Sequence, residues 1–304
     1  MEENTLIIGT APDSWGVWFP DDPQQPPWQR CLDEAAEAGY RWIELGPYGY
    51  LPTDPSRLAD ELAQRGLSLS AGTVFTAFHR GSGQWESAEE PVRKVAELTA
   101  ALGGKHLVVI PAMWRDDVTG EAVENADLSS EQWNDLLTGH NRLGKVLAEE
   151  FGLQQQFHPH ADSHVCAQPE TERFLQDTDP QLVSLCLDTG HAEYGGADSV
   201  ELIGKYPERI GYLHLKQIDP GVLANVRRQN LTWAAANLAG VMTEPPSGLP
   251  DLSRVITAAE SLGKPLFGIV EQDMYPVADF EAPLPIARRT RKYLLSCGSR
   301  TRSS

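Results

Sequence analysis

The feature that most constrains the fold is an alternation that runs the whole length of the 304-residue chain. Short apolar runs at 6–10, 41–45, 67–74, 106–110, 154–158, 183–187, 210–215 and 266–270 are each followed by a longer stretch of helical periodicity. Strands separated by helices pair in parallel, because each crossover returns the chain to the same end of the sheet. Eight such units predict an α/β architecture, a single (β/α)8 TIM barrel over residues 1–304, a fold that typically takes about 250 residues plus insertions. An open doubly wound sheet is the alternative, but no GxGxxG follows the first run. Residues 115–127 and 219–248 are long for plain connections. The second extends the link between the seventh and eighth strands and is expected to cover the site. Residues 297–304 read as a frayed tail.

Helix ends carry local signals. Asp54-Pro55 offers a side-chain cap and then a proline, whose missing N–H costs nothing in a first turn. Leu58 and Leu62 mark one face, and Gly66 suits the left-handed residue that ends a helix. Ser87 to Glu90 reads as a capping box ahead of Val92, Val95, Ala96 and Leu102, with Gly103 as the stop.

Charge narrows the function classes. With 25 Lys+Arg against 43 Asp+Glu the formal net charge is -18, the wrong sign for releasing counterions from nucleic acid. No apolar run approaches the roughly 20 residues of a membrane span. The acidic start MEENTLIIGTA lacks the basic region of an export signal. Cys31, Cys166, Cys186 and Cys297 are scattered without a CxxC pair, which suits reduced thiols. The expectation is a soluble cytoplasmic protein acting on a small molecule.

In such barrels reacting groups stand where strands end. Glu44 ends WIELG, His158 and His160 follow LQQQF, Asp188 follows VSLCL, His214 lies in IGYLHLK and Glu271 follows LFGIV. Each has an ordinary reading too. Asp188 alone is a turn cap, although His191 in DTGH adds a second polar group. His214 between two leucines is a core histidine, although Tyr212, His214 and Lys216 alternate onto one face. Glu44 is an ion-pair partner for Arg41 or a neighbouring base, and His158, His160 and His164 are a surface cluster. Trp15, Trp18 and Phe19 are either loop core or the wall of a sugar-sized pocket. Glu271 resists such a reading, because burying a lone carboxylate is costly. Together, His158, Asp188, His214 and Glu271 on successive strand ends make a mixed nitrogen and oxygen set. That set suits a divalent transition metal, Mn²⁺ or Co²⁺ first and Fe²⁺ or Zn²⁺ next, better than Ca²⁺. Which of His158, His160 and His164 faces the metal is set by loop geometry and stays open.

At these residues the chain resembles the xylose-isomerase-like TIM-barrel family of sugar isomerases and epimerases, and within it the inosose (2-keto-myo-inositol) dehydratase branch. The resemblance covers nearly the whole chain and rests on APDSWGVWF, WIELGPYG, FHPHADSH, LCLDTGHAEYGG, GYLHLKQID and GIVEQD. It implies metal ligands Glu, Asp, His and Glu on the last four strands. Asp188, His214 and Glu271 match three of them, and His158 stands where the first glutamate is expected. Epimerases of this type use two opposed carboxylates. Here Glu271 alone remains, and a single base suits elimination of water better. Cys166 departs from the acidic or amide residues of related sequences and has no assigned role.

The expected reaction is dehydration of a cyclic polyol ketone, through an enediolate stabilised by one divalent metal. Glu271, His158 or His160 removes the proton and Lys216 or His191 protonates the leaving hydroxyl. Trp15, Glu44, His160, His191 and Lys216 contact the substrate. An isomerase or epimerase is the first alternative, and a catalytically silent sugar-binding or partner subunit the second. A metal-dependent nuclease on this barrel is disfavoured by the charge. Partners are expected to be a small sugar or cyclitol, with a homodimer or higher homo-oligomer left open.

Overall fold

A computed structural model describes residues 6–298; residues 299–304, most of the expected tail, lie outside that range, as do residues 1–5. Nine parallel strands form one sheet: β1 (Leu6–Thr10), β2 (Trp42–Ile43), β3 (Ser68–Leu69), β4 (Ala71–Thr76), β5 (His106–Pro111), β6 (Gln154–Phe157), β7 (Val183–Asp188), β8 (Ile210–Leu215) and β9 (Leu266–Val270). Their order is β3-β2-β1-β9-β8-β7-β6-β5-β4. The two ends of this sheet are consecutive pieces of one chain segment, β3 pairing with β2 and β4 with β5. Across the break the Ser70 N–H donates to the Ile43 carbonyl at 3.0 Å, and Leu45 N–H to Ala71 carbonyl at 3.0 Å. The ninth strand is therefore the third expected strand cut at Ser70, where the segment passes from one neighbour to the other, and the sheet closes as a barrel.

Ala11, Ala71, Val108, Cys186, Tyr212 and Ile269, from six different strand positions, form one apolar cluster inside the barrel. Tyr212 ties this plug across the barrel, its hydroxyl meeting Ser70 Oγ at 2.9 Å. The main core lies between sheet and helices and reaches from Leu6 to Leu294.

The helix signals hold with one correction. In the helix Pro55–Gln64 the Asp54 carboxylate accepts from Arg57 N–H and Pro55 opens the first turn, while Gly66 sits at φ 64° just past the end. The Ser87–Glu90 capping box is not formed. The helix Gln84–Ala101 starts earlier, with both residues already inside it, because Trp85 is buried and stacks on Phe78 at 6.1 Å, which anchors an extra turn. The capping box instead stands at Ser129 and Gln132, opening the helix Ser130–Val146.

Residues 219–248 hold two helices, Pro220–Gln229 and Trp233–Leu238. They build a small core of their own, with Leu223, Val226, Trp233, Ala236 and Val241 closing on Ile218 and on Ala161 of the loop after β6. Burial of that cluster holds the segment over the C-terminal end of the barrel, as expected. The last helix, Pro283–Cys297, runs one residue into the expected tail. No helix among the described residues is long and apolar enough to cross a membrane.

Candidate functional site

Strand periodicity builds the site directly on the interior plug. Two residues beyond Cys186, Tyr212 and Ile269, on the same inward face, come Asp188, His214 and Glu271. His158 enters one residue past β6. The donor atoms of these four buried residues all lie within 4.8 Å of one another. Gly190, in the DTGH turn, lets the neighbouring strand approach: a Cβ there would stand 2.6 Å from Lys216 Cβ.

His214 shows why this cluster fits a cation. Its Nε2 lies 2.9 Å from Glu44 Oε1, and a carboxylate only accepts, so in the neutral ring the proton sits on Nε2. Nδ1 then turns a lone pair toward Glu271 Oε2 at 2.9 Å and Asp188 Oδ2 at 3.6 Å, with no hydrogen bond made to it. Carboxylates converging on that lone pair require positive charge at one point, supplied by a second ring proton or, in its place, by a bound cation. Burial pushes His214 down, yet the Cys186 thiol, Glu271 and Glu44 outweigh it and hold the ring well above its ordinary value. Two imidazoles and two carboxylates are a donor set for a divalent transition metal. Glu44 stands where a metal-bound histidine typically carries an orienting partner. Replacing Glu44 with alanine is expected to weaken metal binding about 10–100-fold, with glutamine, which keeps an acceptor, recovering most of it. Competition titration against a chelating indicator measures this, and unchanged affinity in the alanine variant would remove Glu44 from that role.

Buried Glu44, Asp188, Glu271 and Asp273 outnumber the ammonium among them. Lys216 Nζ reaches Glu271 Oε2 at 2.8 Å, Asp273 Oδ2 at 3.0 Å and Asp188 Oδ2 at 3.1 Å. Burial works against its charge, but Asp188, Asp273 and Glu271 hold it well above the usual lysine value. For Glu271 burial raises the carboxyl, and His214 and Lys216 overcome that to leave it at about 2. Asp188 follows the same balance, with Lys216 the main opponent of burial. Asp188 also caps the following turn, its Oδ1 accepting from His191 N–H at 2.8 Å, so the cap reading and the site reading are both true of one residue.

The remaining histidines are sorted by their backbone partners. Ala161 N–H donates to His191 Nδ1 at 3.1 Å, which puts the His191 proton on Nε2, a buried donor with no partner. His160 Nδ1 lies 2.7 Å from the Ala161 carbonyl and carries its proton there, leaving Nε2 as the acceptor. The two rings are 4.0 Å apart, and Trp233 from the covering segment lies 4.3 Å from His191. Burial, then His158, pushes His160 down to about 3.

Other expected residues stand elsewhere. Trp15 is fully buried in the main core and its indole donates to Glu34 at 2.8 Å, so it is loop core and not a pocket wall. Of the tryptophans in DSWGVWF, the one that meets the site is Trp18, whose indole donates to Asp273 at 3.2 Å and stacks on Tyr275 at 5.1 Å. Glu44 pairs with His214 and not with Arg41. His164 leaves the centre altogether and joins His79 and Glu124. Cys166 packs under Gly195, and burial pushes its thiol up to about 12. Asp273 and Trp233 escaped the sequence reading. Asp273 had a signal, standing two residues past Glu271 on the same side, whereas Trp233 lies in the covering segment without one.

The family model described as a xylose isomerase-like TIM barrel matches residues 32–243. The inosose dehydratase of Geobacillus thermodenitrificans is 29% identical over 98% of this chain and 99% of its own length. That of Geobacillus kaustophilus is 31% identical over 96% and 94%. Among solved structures, the IOLI protein with a bound zinc atom superposes with a TM-score of 0.72 at 16% identity, covering 97% of this chain and 100% of that one. The chain thus belongs to the xylose isomerase-like TIM-barrel family.

Proposed function

We propose that this chain is a metal-dependent hydro-lyase that removes water from a cyclic polyol ketone of the 2-keto-myo-inositol type. The observation that carries the reading is the pairing of Glu271 with Lys216 at 2.8 Å, an ionised carboxylate and a charged ammonium side by side at one edge of the metal cluster. Relatives named inosose dehydratase that align over nearly the whole chain support the substrate class.

His158, Asp188, His214 and Glu271 would hold the divalent ion. When bound, such an ion polarises a carbonyl oxygen and eases loss of the proton on the adjacent carbon. Glu271 takes that proton, a C=C bond forms, and the C–O bond at the next carbon breaks. The departing hydroxyl takes a proton from Lys216 Nζ and leaves as water. Glu271 then holds one proton and Lys216 lacks one, and transfer across their contact restores both. His191 Nε2 donates to a substrate hydroxyl and His160 Nε2 accepts from one. Trp233 covers both rings and excludes water.

Inversion of a stereocentre needs a base on one face and an acid on the other. Glu271 and Lys216 are in direct contact at 2.8 Å, and the position where a second carboxylate is expected holds His158, whose Nε2 already lies 3.3 Å from Asp188. This favours elimination over two-base epimerisation. The test is to strip the protein with chelator, restore Mn²⁺, Co²⁺, Fe²⁺ or Zn²⁺ singly, and follow 2-keto-myo-inositol by mass spectrometry. Loss of one water, dependent on added metal, is the expected result. Constant mass with altered stereochemistry would replace the lyase by an isomerase, and metal binding without turnover of any inosose or ketose would leave a silent binding subunit.

A further inference from the structure

A second cluster of ligating groups lies outside the centre described above. His79 follows β4 in the short helix Phe78–Arg80, Glu124 belongs to the 115–127 insertion, and His164 lies on the loop after β6. Three separate connections thus bring two imidazoles and a carboxylate together, with ligand atoms within 4.8 Å of one another. Both histidine side chains are nearly sealed, at 1% and 2% exposure, and Glu124 is at 16%.

Proton positions at His164 make the cluster more than an ion pair. Its Nδ1 lies 2.9 Å from the Ala126 carbonyl. A carbonyl oxygen only accepts, so Nδ1 carries the proton and Nε2 of the neutral ring presents a lone pair. That Nε2 is buried with no hydrogen-bond partner and lies 3.5 Å from Glu124 Oε1. An imidazole lone pair facing a carboxylate oxygen is repulsive unless a cation stands between them. A backbone carbonyl that fixes the tautomer is also the usual outer partner of a metal-bound histidine. On the far side His79 Nε2 meets the same oxygen at 3.0 Å, the two rings lying 4.5 Å apart.

We infer that His79, Glu124 and His164 form a second divalent transition-metal site, of the zinc class, which pins the 115–127 insertion to the barrel mouth. Two histidines, one glutamate and an open position match the donor set that zinc accepts. Two adjustments accompany binding. The His79 proton moves to Nδ1, so that Nε2 can ligate. Arg80, which reaches Glu124 Oε1 at 2.8 Å and is 41% exposed, swings into solvent and gives up that oxygen. Neither step involves the Asp188–His214–Glu271 centre, so the inference stands apart from the proposed reaction.

The experiment is zinc titration of the chelator-stripped full chain against a chelating indicator. Hydrogen exchange of residues 115–127 is read with and without zinc. Wild type is expected to bind one equivalent more than His79→Gln, Glu124→Gln or His164→Gln, while Asp188→Asn retains that equivalent. Zinc is expected to slow exchange in 115–127 in wild type and Asp188→Asn only. Circular dichroism checks that each variant is folded, and using three variants on three segments guards against loss of any one. If the folded His79 and His164 variants bind as much zinc as wild type, or if zinc leaves exchange in 115–127 unchanged, the gap holds only a proton and the inference falls.

Discussion

Replacing Glu271 with glutamine is expected to lower turnover by about 10²–10⁴-fold, the range for removing a positioned acid–base group. The substitution keeps the shape and removes the charge. Glu271 is buried, and His214 and Lys216 together overcome the burial penalty to keep it ionised, at about 2. An amide at this position takes no proton. It also leaves the Lys216 ammonium with Asp188 and Asp273 alone and weakens one corner of the metal set. The two effects separate in measurement. Single-turnover rates at saturating metal report the lost base, while elemental analysis reports the lost ligand. A glutamine variant that holds its metal and turns over at the wild-type rate would remove Glu271 from the chemistry and leave it a ligand only.

Cutting the Arg115–Asp162 pair is expected to release the covering segment. Both side chains are 5% exposed and their contact is 2.6 Å. Arg115 Nη2 also donates to the Leu231 carbonyl at 2.6 Å and Nη1 to the Asn230 carbonyl at 3.2 Å, while Asp162 Oδ2 accepts from Trp233 N–H at 2.7 Å. One ion pair therefore joins the first insertion, the loop after β6 and residues 219–248. Removing one partner of a buried pair strands the other charge and costs about 3–5 kcal/mol. In Arg115→Ala, hydrogen exchange across 219–248 is expected to accelerate by roughly 10²-fold or more, because each 1.4 kcal/mol is a factor of ten. KM should rise more than kcat falls, since Trp233 loses its seat over His160 and His191 while Glu271 and Lys216 stay in place. Combining Arg115→Met with Asp162→Asn should recover part of the loss, the stranded charge being gone. Unaltered exchange in the covering segment would show that the apolar cluster around Trp233 holds it unaided.

Both expectations rest on residues that the sequence presents unequally. Glu271 ends an apolar run, and period-two alternation places it with Asp188 and His214 above the interior plug, so its position follows from counting. Arg115 and Asp162 are 47 residues apart in loops without periodicity, and no local pattern links them. The histidines divide the same way. FHPHADSH announces itself at a strand end, but its three rings go to three places: His158 to the centre, His160 against His191, and His164 to Glu124. Their backbone partners, the Ala161 and Ala126 carbonyls, are decided by the loop's course.

What the amino-acid order determined by itself was the alternation of strand and helix, both ends of the helix Pro55–Gln64, and the layer of polar groups at strand ends. These depend on contacts a few residues apart or on a fixed period. The tertiary structure alone decided that Glu44 meets His214 across 170 residues, that Trp18 and not Trp15 reaches the site, and that a mid-chain insertion covers it. Such pairings are chosen by barrel closure and by the need to neutralise buried charge, and both are properties of the whole assembly of strands that no short window of sequence contains.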